Sequence, residues 1–510
     1  MAIIPYIIST FRGGVSDETN KGTSGSFKHG HALNIHKRSD TLSCNPAMFT
    51  VLDTGTGGFS DGAGIYAEGL GTTLTGVFNF IVPSSDGSTY CFSSKGSIFT
   101  RSGDGIWTFS YNDANGNIKG AAEWTHDDGT RYMYWATDTS LARKEITGAE
   151  ITSDSGTGRW TDVSADYRAT LDGAEWHTMK NASGELMIAN RDSLATVNFS
   201  GDFIAKDLNI RPGNLVKCLE ERDDYAVLGS GRNDNAEEGH IWTWFVGIQN
   251  WLDKKKVPIK GVNALIDTEL RLLQGGNDGE IFLSSFEADT TPLHAVPGGG
   301  EVQPEGVTVA DDIALFGMYG GTYPGLWSFG RRRRNRPFSL NYEYRLAGTV
   351  GGSTISTIGA IAMINGELFA SWGTTETDSS SYGVDQLSTT TKANAIYEGL
   401  EFDGGTPYAK KPFNTVEVAM RPLPASTAIA IRYRKDLKTT GAEIADGWTY
   451  AVTGANATSF SVEDATSALF SIGDSIAIYE LGLELTASGS STPEIFSITT
   501  YLSEGAQEYA

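Results

Sequence analysis

The chain has 510 residues, 39% hydrophobic and 20% charged, with a formal charge of −23. That length exceeds one ordinary compact core, so a repeat array or two or more folding units are required. The acidity argues against a general nucleic-acid-binding surface, which needs clustered cations, while 61 glycines against 15 prolines match the turn demand of many short strands.

Residues 1 to 60 show no strand period. Phe11-Arg12-Gly13-Gly14 and the glycine-rich polar stretch up to Gly30 predict an extended arm or long surface loop. The apolar opening, with Pro5 in its middle and no basic residues ahead of it, is too short for a membrane span and is not expected to be a signal peptide. His29, His31 and His36 form the tightest group of metal-capable residues, but in a stretch with so little predicted order they are expected on an exposed polar arm, with no metal bound. Gly64-Ile65-Tyr66-Ala67 is a candidate strand for closing a ring of repeats.

From about residue 88 to residue 400 one pattern recurs: an alternating apolar strand, a Gly/Asp/Asn turn, then a strand that begins with Ile or Leu. Its seven copies start at Ser88, Arg131, Glu185, Asp224, Glu269, Asp312 and Gly366, roughly 39 to 54 residues apart, the span of a four-stranded propeller blade. Stacked radially, such blades bury both faces of every sheet and leave short edges. A tandem of unrelated β-sandwiches is the alternative. Ser102-Gly103-Asp104-Gly105-Ile106-Trp107 resembles a degenerate Asp-box turn of sialidase-like propellers. Asp113-Ala114-Asn115-Gly116-Asn117 opens like a calcium loop, but its glycine comes too early and its twelfth position is Trp124, so a hairpin turn is expected. Phe245 to Lys256 is the best helix candidate, with apolar residues near helical spacing over about three turns.

Arg331, Arg332, Arg333, Arg334 and Arg336 follow the strand Leu326-Trp327-Ser328-Phe329. Five guanidinium groups in six residues repel one another unless solvated or paired with anions, and in so acidic a protein those anions can belong to a neighbouring copy. They are the candidate partner-binding residues; a solvated loop is the plain alternative, and phosphate binding ranks third. From Lys410 the pattern changes. Asn414 to Met420, Ala428 to Arg434, Ser475 to Glu480 and Glu494 to Ile498 alternate strictly, with Pro422, Pro424 and Pro493 at turns, which predicts an antiparallel, jelly-roll-like β-sandwich.

Cys44, Cys91 and Cys218 are odd in number and widely separated, so neither a disulfide framework nor a zinc or redox site is expected. There is no GxSxG, HExxH or P-loop, and nothing singles out a carboxylate pair. The expectation is an all-β, non-enzymatic chain without catalytic, cofactor or metal residues. It would have an arm over 1–60, a β-propeller of about seven blades over 61–405 and a C-terminal β-sandwich over 406–510.

Three N-terminal stretches, Ile8-Ser9-Thr10-Phe11-Arg12-Gly13-Gly14-Val15-Ser16, Gly25-Ser26-Phe27-Lys28-His29-Gly30 with Leu33-Asn34-Ile35-His36, and Asp40-Thr41-Leu42-Ser43-Cys44-Asn45, resemble the N-termini of tailed-bacteriophage structural proteins. Lys411-Pro412-Phe413-Asn414-Thr415-Val416, Arg421-Pro422-Leu423-Pro424 and Ile431-Arg432-Tyr433-Arg434 are similar to terminal domains of the same proteins. The resemblance implies a virion component of the tail, a nozzle, hub or tip, made in the host cytoplasm. Its partners would be other tail or neck proteins in a homo-oligomeric ring, with DNA in passage but no specific nucleic-acid binding and no membrane. A carbohydrate-binding or carbohydrate-cleaving propeller acting on a host surface is the competing function.

Overall fold

The computed structural model describes residues 3–16, 26–36, 41–53, 59–60, 65–66, 76–101, 105, 107–113, 115–146, 168–222, 225–234, 236–284, 290–331, 334, 336–349, 355–374, 382–403, 410–435 and 448–503. The chain is all-β. It divides into two compact units. A meander unit comprises Phe49–Gly325 and Leu346–Gln386, and a terminal unit comprises Met1–Met48, Leu326–Arg345 and Leu387–Ala510.

In the meander unit, four-stranded antiparallel sheets follow one another in chain order. The first is Phe78–Pro83, Thr89–Ser93, Ser97–Arg101 and Trp107–Asn112, and the second Gly120–Thr125, Arg131–Ala136, Ser140–Glu145 and Arg168–Thr170. Met179–Ala182, Glu185–Asn190, Ser193–Val197 and Phe203–Asn209 make the third; Asn214–Arg222, Tyr225–Arg232, Gly239–Phe245 and Asp253–Val257 the fourth. The fifth is Val262–Asp267, Arg271–Gly275, Glu280–Leu283 and Thr291–Ala295. Val307–Ala310 then pairs with Ile313–Met318. A last sheet joins Ile355–Ile364, Glu367–Thr374 and Tyr382–Lys392 to the earlier strand Pro46–Asp53, with Phe59–Ser60 and Ile65–Tyr66 beyond it. The piece around Ile65 thus sits at the far edge of this sheet, and Pro46–Asp53 is the strand placed beside Tyr382–Lys392.

The recurrent hairpins of the sequence are the second and third strands of these sheets, paired at Thr89–Ser93 with Ser97–Arg101, Arg131–Ala136 with Ser140–Glu145, and so on through Glu367–Thr374 with Tyr382–Lys392. The hairpin expected from Asp312 has its strands at Ile313–Met318 and Gly325–Gly330.

Alternation sends successive side chains to opposite faces, and both faces are buried. Trp242 and Trp244 of the fourth sheet pack with Met187, Leu194 and Leu208 of the third. Val227 and Ile241, on the opposite face, pack with Val262, Leu273 and Phe282 of the fifth. First strands are neighbours in series: Phe78–Pro83, Gly120–Thr125, Met179–Ala182, Asn214–Arg222, Val262–Asp267, Val307–Ala310 and Ile355–Ile364, the last of which lies against Phe78–Pro83 again. There Phe78, Cys91 and Phe99 share a core with Leu52, Phe369 and Val384.

The stretch expected to be helical is not. Phe245 ends one strand of the fourth sheet, Asp253–Val257 is the next, and a turn with Gly247 at φ 84° joins them. The helical spacing arises because this tip carries apolar residues toward solvent, without a core to set their period.

The terminal unit has two further sheets. One runs Ile3–Ile8, Ile495–Ser503, Lys411–Met420, Ser467–Ile476; the other Gly14–Val15, Ser26–His31, Ala395–Gly399, Tyr479–Thr486, Ala428–Lys435, Trp448–Tyr450. Their inner faces meet: Phe413 of the first packs on Tyr479 of the second at 4.2 Å between rings, and Tyr479 donates to Thr500 Oγ1 at 2.9 Å. The N-terminal residues are therefore not an extended arm. Ile3–Ile8 pairs along its whole length with Ile498 to Ser503, and Ser26–His31 pairs with Ala395–Gly399. The paired strands Gly325–Gly330 and Ser339–Tyr344 lie at the outer end of the second sheet, beside Gly14–Val15 and Ser26–His31. Gly14, at φ 71°, is required there, because a Cβ would stand 2.5 Å from the Leu340 carbonyl oxygen.

Candidate functional site

In the terminal unit a cluster of paired charged side chains lies on the face of the six-stranded sheet opposite Tyr479. Ala428–Lys435 alternates Ala430, Arg432 and Arg434 on this face with Ile429, Ile431 and Tyr433 on the other, so two guanidinium groups occupy positions of a core-forming strand. Arg432 stands opposite Gly482 in the ladder, and the missing Cβ leaves room for its side chain to cross. Arg432 Nη2 reaches Glu398 Oε1 at 2.8 Å and Nη1 reaches Glu484 Oε1 at 3.0 Å. Arg434 pairs with Glu480, which also binds Lys28, and Lys28 reaches Glu401 at 3.7 Å. The Trp448 ring covers both arginines, at 4.7 Å and 4.8 Å from their guanidinium carbons.

Burial decides what this cluster can do. The Arg432 side chain is 1% exposed and that of Glu480 4%. Burial raises the Glu398 carboxyl above its ordinary range, against the pull of Arg432 and Arg434. Charges so placed hold one another, because removing a partner would leave an uncompensated ion in a poor solvent. Lys28 from the N-terminal segment and Glu398, Arg432, Arg434 and Glu480 from three later strands thereby fix the order and register of the sheet.

The three histidines belong to this unit and correct the expectation of an exposed arm: His29 is 5%, His31 4% and His36 7% exposed. Burial first, then the charges of Arg432 and Arg345, lower the His29 pKa to about 4; burial, Arg345 and His29 lower that of His31 to about 3. Both imidazoles are neutral at pH 7. They do not converge on a metal, and no group of three or more His, Cys, Asp or Glu among the described residues is placed to hold one.

His36 leads to a second polar cluster. Its Nε2 lies 3.0 Å from Ser328 Oγ, and Ser328 donates to Glu343 Oε2 at 2.8 Å. Asn341 donates to the same oxygen at 2.7 Å, and Asn45 to Glu343 Oε1 at 2.9 Å. The residue types are those of a hydrolytic triad, but the carboxylate accepts from the serine instead of orienting the imidazole. With Ser328 fully buried, the hydroxyl is a structural bridge.

The predicted partner-binding residues lie just after Gly325–Gly330. Arg331 donates to the Arg334 carbonyl at 2.7 Å and its guanidinium stacks 4.4 Å from the Phe338 ring centroid. Arg334 is exposed and Arg336 half-buried, while Arg332 and Arg333 fall outside the described residues. The first of the five arginines therefore folds back on its own loop. In the meander unit, Asp113 takes the Trp135 indole N–H of the second sheet at 2.8 Å and the Asn115 amide at 2.9 Å, which makes the calcium-like stretch a turn that caps its neighbour. Of the Asp-box-like stretch, Ser102 to Asp104 and Ile106 lie outside the described residues. Cys44, Cys91 and Cys218 are buried free thiols. No helix among the described residues is long and apolar enough to cross a membrane.

The sequence foresaw the strand carrying Arg432 and Arg434 but not their pairing. The available signal was charge on the Ala428-Ala430 side of a strictly alternating strand, with Glu480 and Glu484 spaced likewise on another.

No family model matches the chain, nor does any curated protein. Among solved structures it is similar to the Dos1 propeller, at 13% identity and TM-score 0.42 over 70% of this chain and 93% of that one. The Swd1 β-propeller domain of Myceliophteria thermophila shares 11% identity at TM-score 0.41, over 61% of this chain and 97% of that one. Virginiamycin B lyase of Staphylococcus aureus shares 11% at TM-score 0.42, over 62% and 96%.

Proposed function

We propose that the chain is a non-enzymatic structural component of a tailed-bacteriophage virion, part of the tail, serving as an assembly platform through protein–protein contacts. In this reading the meander unit is a β-propeller of seven blades, with first strands lining the ring, and the terminal sheets form a β-sandwich used for docking. The serial adjacency of first strands, returning from Ile355–Ile364 to Phe78–Pro83, supports the ring. The observation that carries the structural role is that the polar clusters around Arg432 and Glu343 are buried and bonded among themselves, so that they stiffen the scaffold. The phage assignment rests on the resemblance of the N- and C-terminal segments. Mass spectrometry of purified particles tests it: the chain is expected in stoichiometric amount with tail proteins, and its absence from particles refutes the assignment.

A further inference from the structure

The first strands of the meander unit carry charges of their own. Lys180 of Met179–Ala182 reaches Glu220 of Asn214–Arg222 at 3.8 Å, and Lys217 of the latter strand reaches Glu175, just ahead of Met179–Ala182, at 3.5 Å. These pairs join strands that are neighbours in series. Lys180 also interacts with a residue much farther along the chain. The charge that acts on it most strongly is Glu305, in the turn before Val307–Ala310, with the fourth and fifth sheets between them in chain order. Glu305 acts on Glu220 as well, and Glu175 acts on Tyr319, which follows Ile313–Met318. The Glu305 turn is fixed by its backbone: the Ile361 amide donates to the Glu305 carbonyl and the Gly306 amide to the Gln303 carbonyl, each at 2.8 Å.

Interaction between charges weakens with distance, so three separate couplings from the third and fourth sheets to the strands three sheets along require first strands that face one another about a narrow centre. The side chains there are wet and crowded at once. Lys180 is 36% and Glu220 25% exposed, yet burial raises the Glu220 carboxyl against the pull of Lys180. At Lys180 the carboxylates outweigh burial and hold the ammonium above its ordinary pKa. One ammonium between carboxylates of two different sheets is a bridge, and without it the two carboxylates face each other where water solvates them poorly.

We propose that Lys180 is a lock at the centre of the ring, joining Glu220 of the adjacent sheet to Glu305 on the far arc, so that the ring is tied across its axis as well as at the joint between its first and last sheets. This rests on the ring reading, which it deepens, and not on the phage assignment. The test is hydrogen exchange of the full chain, followed by mass spectrometry, with circular dichroism as a check on folding. Lys180→Glu should speed exchange in Met179–Ala182, Asn214–Arg222 and Val307–Ala310 about tenfold or more, and Glu305→Lys added to it should restore most of the protection. Lys256→Glu makes the same change in net charge at a side chain 62% exposed, and should leave these strands as they are. If Lys180→Glu does not fold, Lys180→Met decides: Glu305→Gln added to it should slow exchange again, because the orphaned carboxylate is gone. The lock is overturned if Lys180→Glu exchanges as wild type does, or if neither change at Glu305 restores protection. Gly359→Ala, at the joint of the first and last sheets, separates the two readings. If it loosens Phe78–Pro83 while the Lys180 and Glu305 variants show no coupling, the lock is wrong and the ring stands; if neither site responds, the ring reading fails with it.

Discussion

A buried neutral imidazole is a liability in acid, and His29 and His31 bring two into one sheet. Their folded pKa values of about 4 and about 3 lie below the ordinary 6.5, so between pH 6.5 and 4 the unfolded chain binds more protons than the folded one. Stability therefore falls as pH falls through that window. Glu398, raised by burial, works the other way over its own interval above 4.5, where the folded chain holds the extra proton. Between pH 7 and 5 each histidine contributes a loss of about 2 kcal/mol. His29→Asn should remove that share of the difference between urea unfolding at the two pH values, and an unchanged difference would show that the ring is protonated in place. None of this is legible in the sequence. His29 and His31 sit among glycines and polar residues, and only pairing with Ala395–Gly399, far along the chain, makes their stretch a strand.

Hairpins are the elements the sequence states most plainly, because their period of two and their turn residues are local. Glu185–Asn190 and Ser193–Val197 need no distant information: Asn190 pairs with Ser193 across a turn in which Arg191 takes φ 61°. Phe245 to Lys256 misleads for the opposite reason, since a loop at the solvent end of a sheet obeys no core period. First strands are hard to read because their demands come from the next sheet. Gly359, in the strand Ile355–Ile364, is an example. A Cβ there would lie 2.1 Å from the Phe78 carbonyl oxygen, and Ser371 donates to the same oxygen at 2.5 Å. Backbone cannot yield as a side-chain end does, so Gly359→Ala should cost about 1–3 kcal/mol in urea unfolding. Wild-type stability in that variant would mean the first and last sheets are not pressed together as described.

At the scale of the whole molecule the proposed contact role of the charge run after Gly330 is tested at Arg334, which is exposed. Arg334→Ser should leave the isolated chain as stable as wild type to within about 0.5 kcal/mol, since exposed charges contribute little. In the proposed assembly, association through this loop should slow several-fold at low ionic strength and converge with wild type as salt is raised. Equal association kinetics at every salt concentration would make the run a solvated loop. The terminal unit, drawn from three separated stretches, also places a demand on time. Ile8 is partnered by Ile498, 498 − 8 = 490 residues later. At about 5–20 residues per second of synthesis, the first strand waits roughly 25–100 s for its partner. Throughout that interval the meander sheets can complete themselves while Ile3–Ile8 presents an open edge, so any ribosome that stops before residue 495 releases a chain in which a strand made long before is still without its partner.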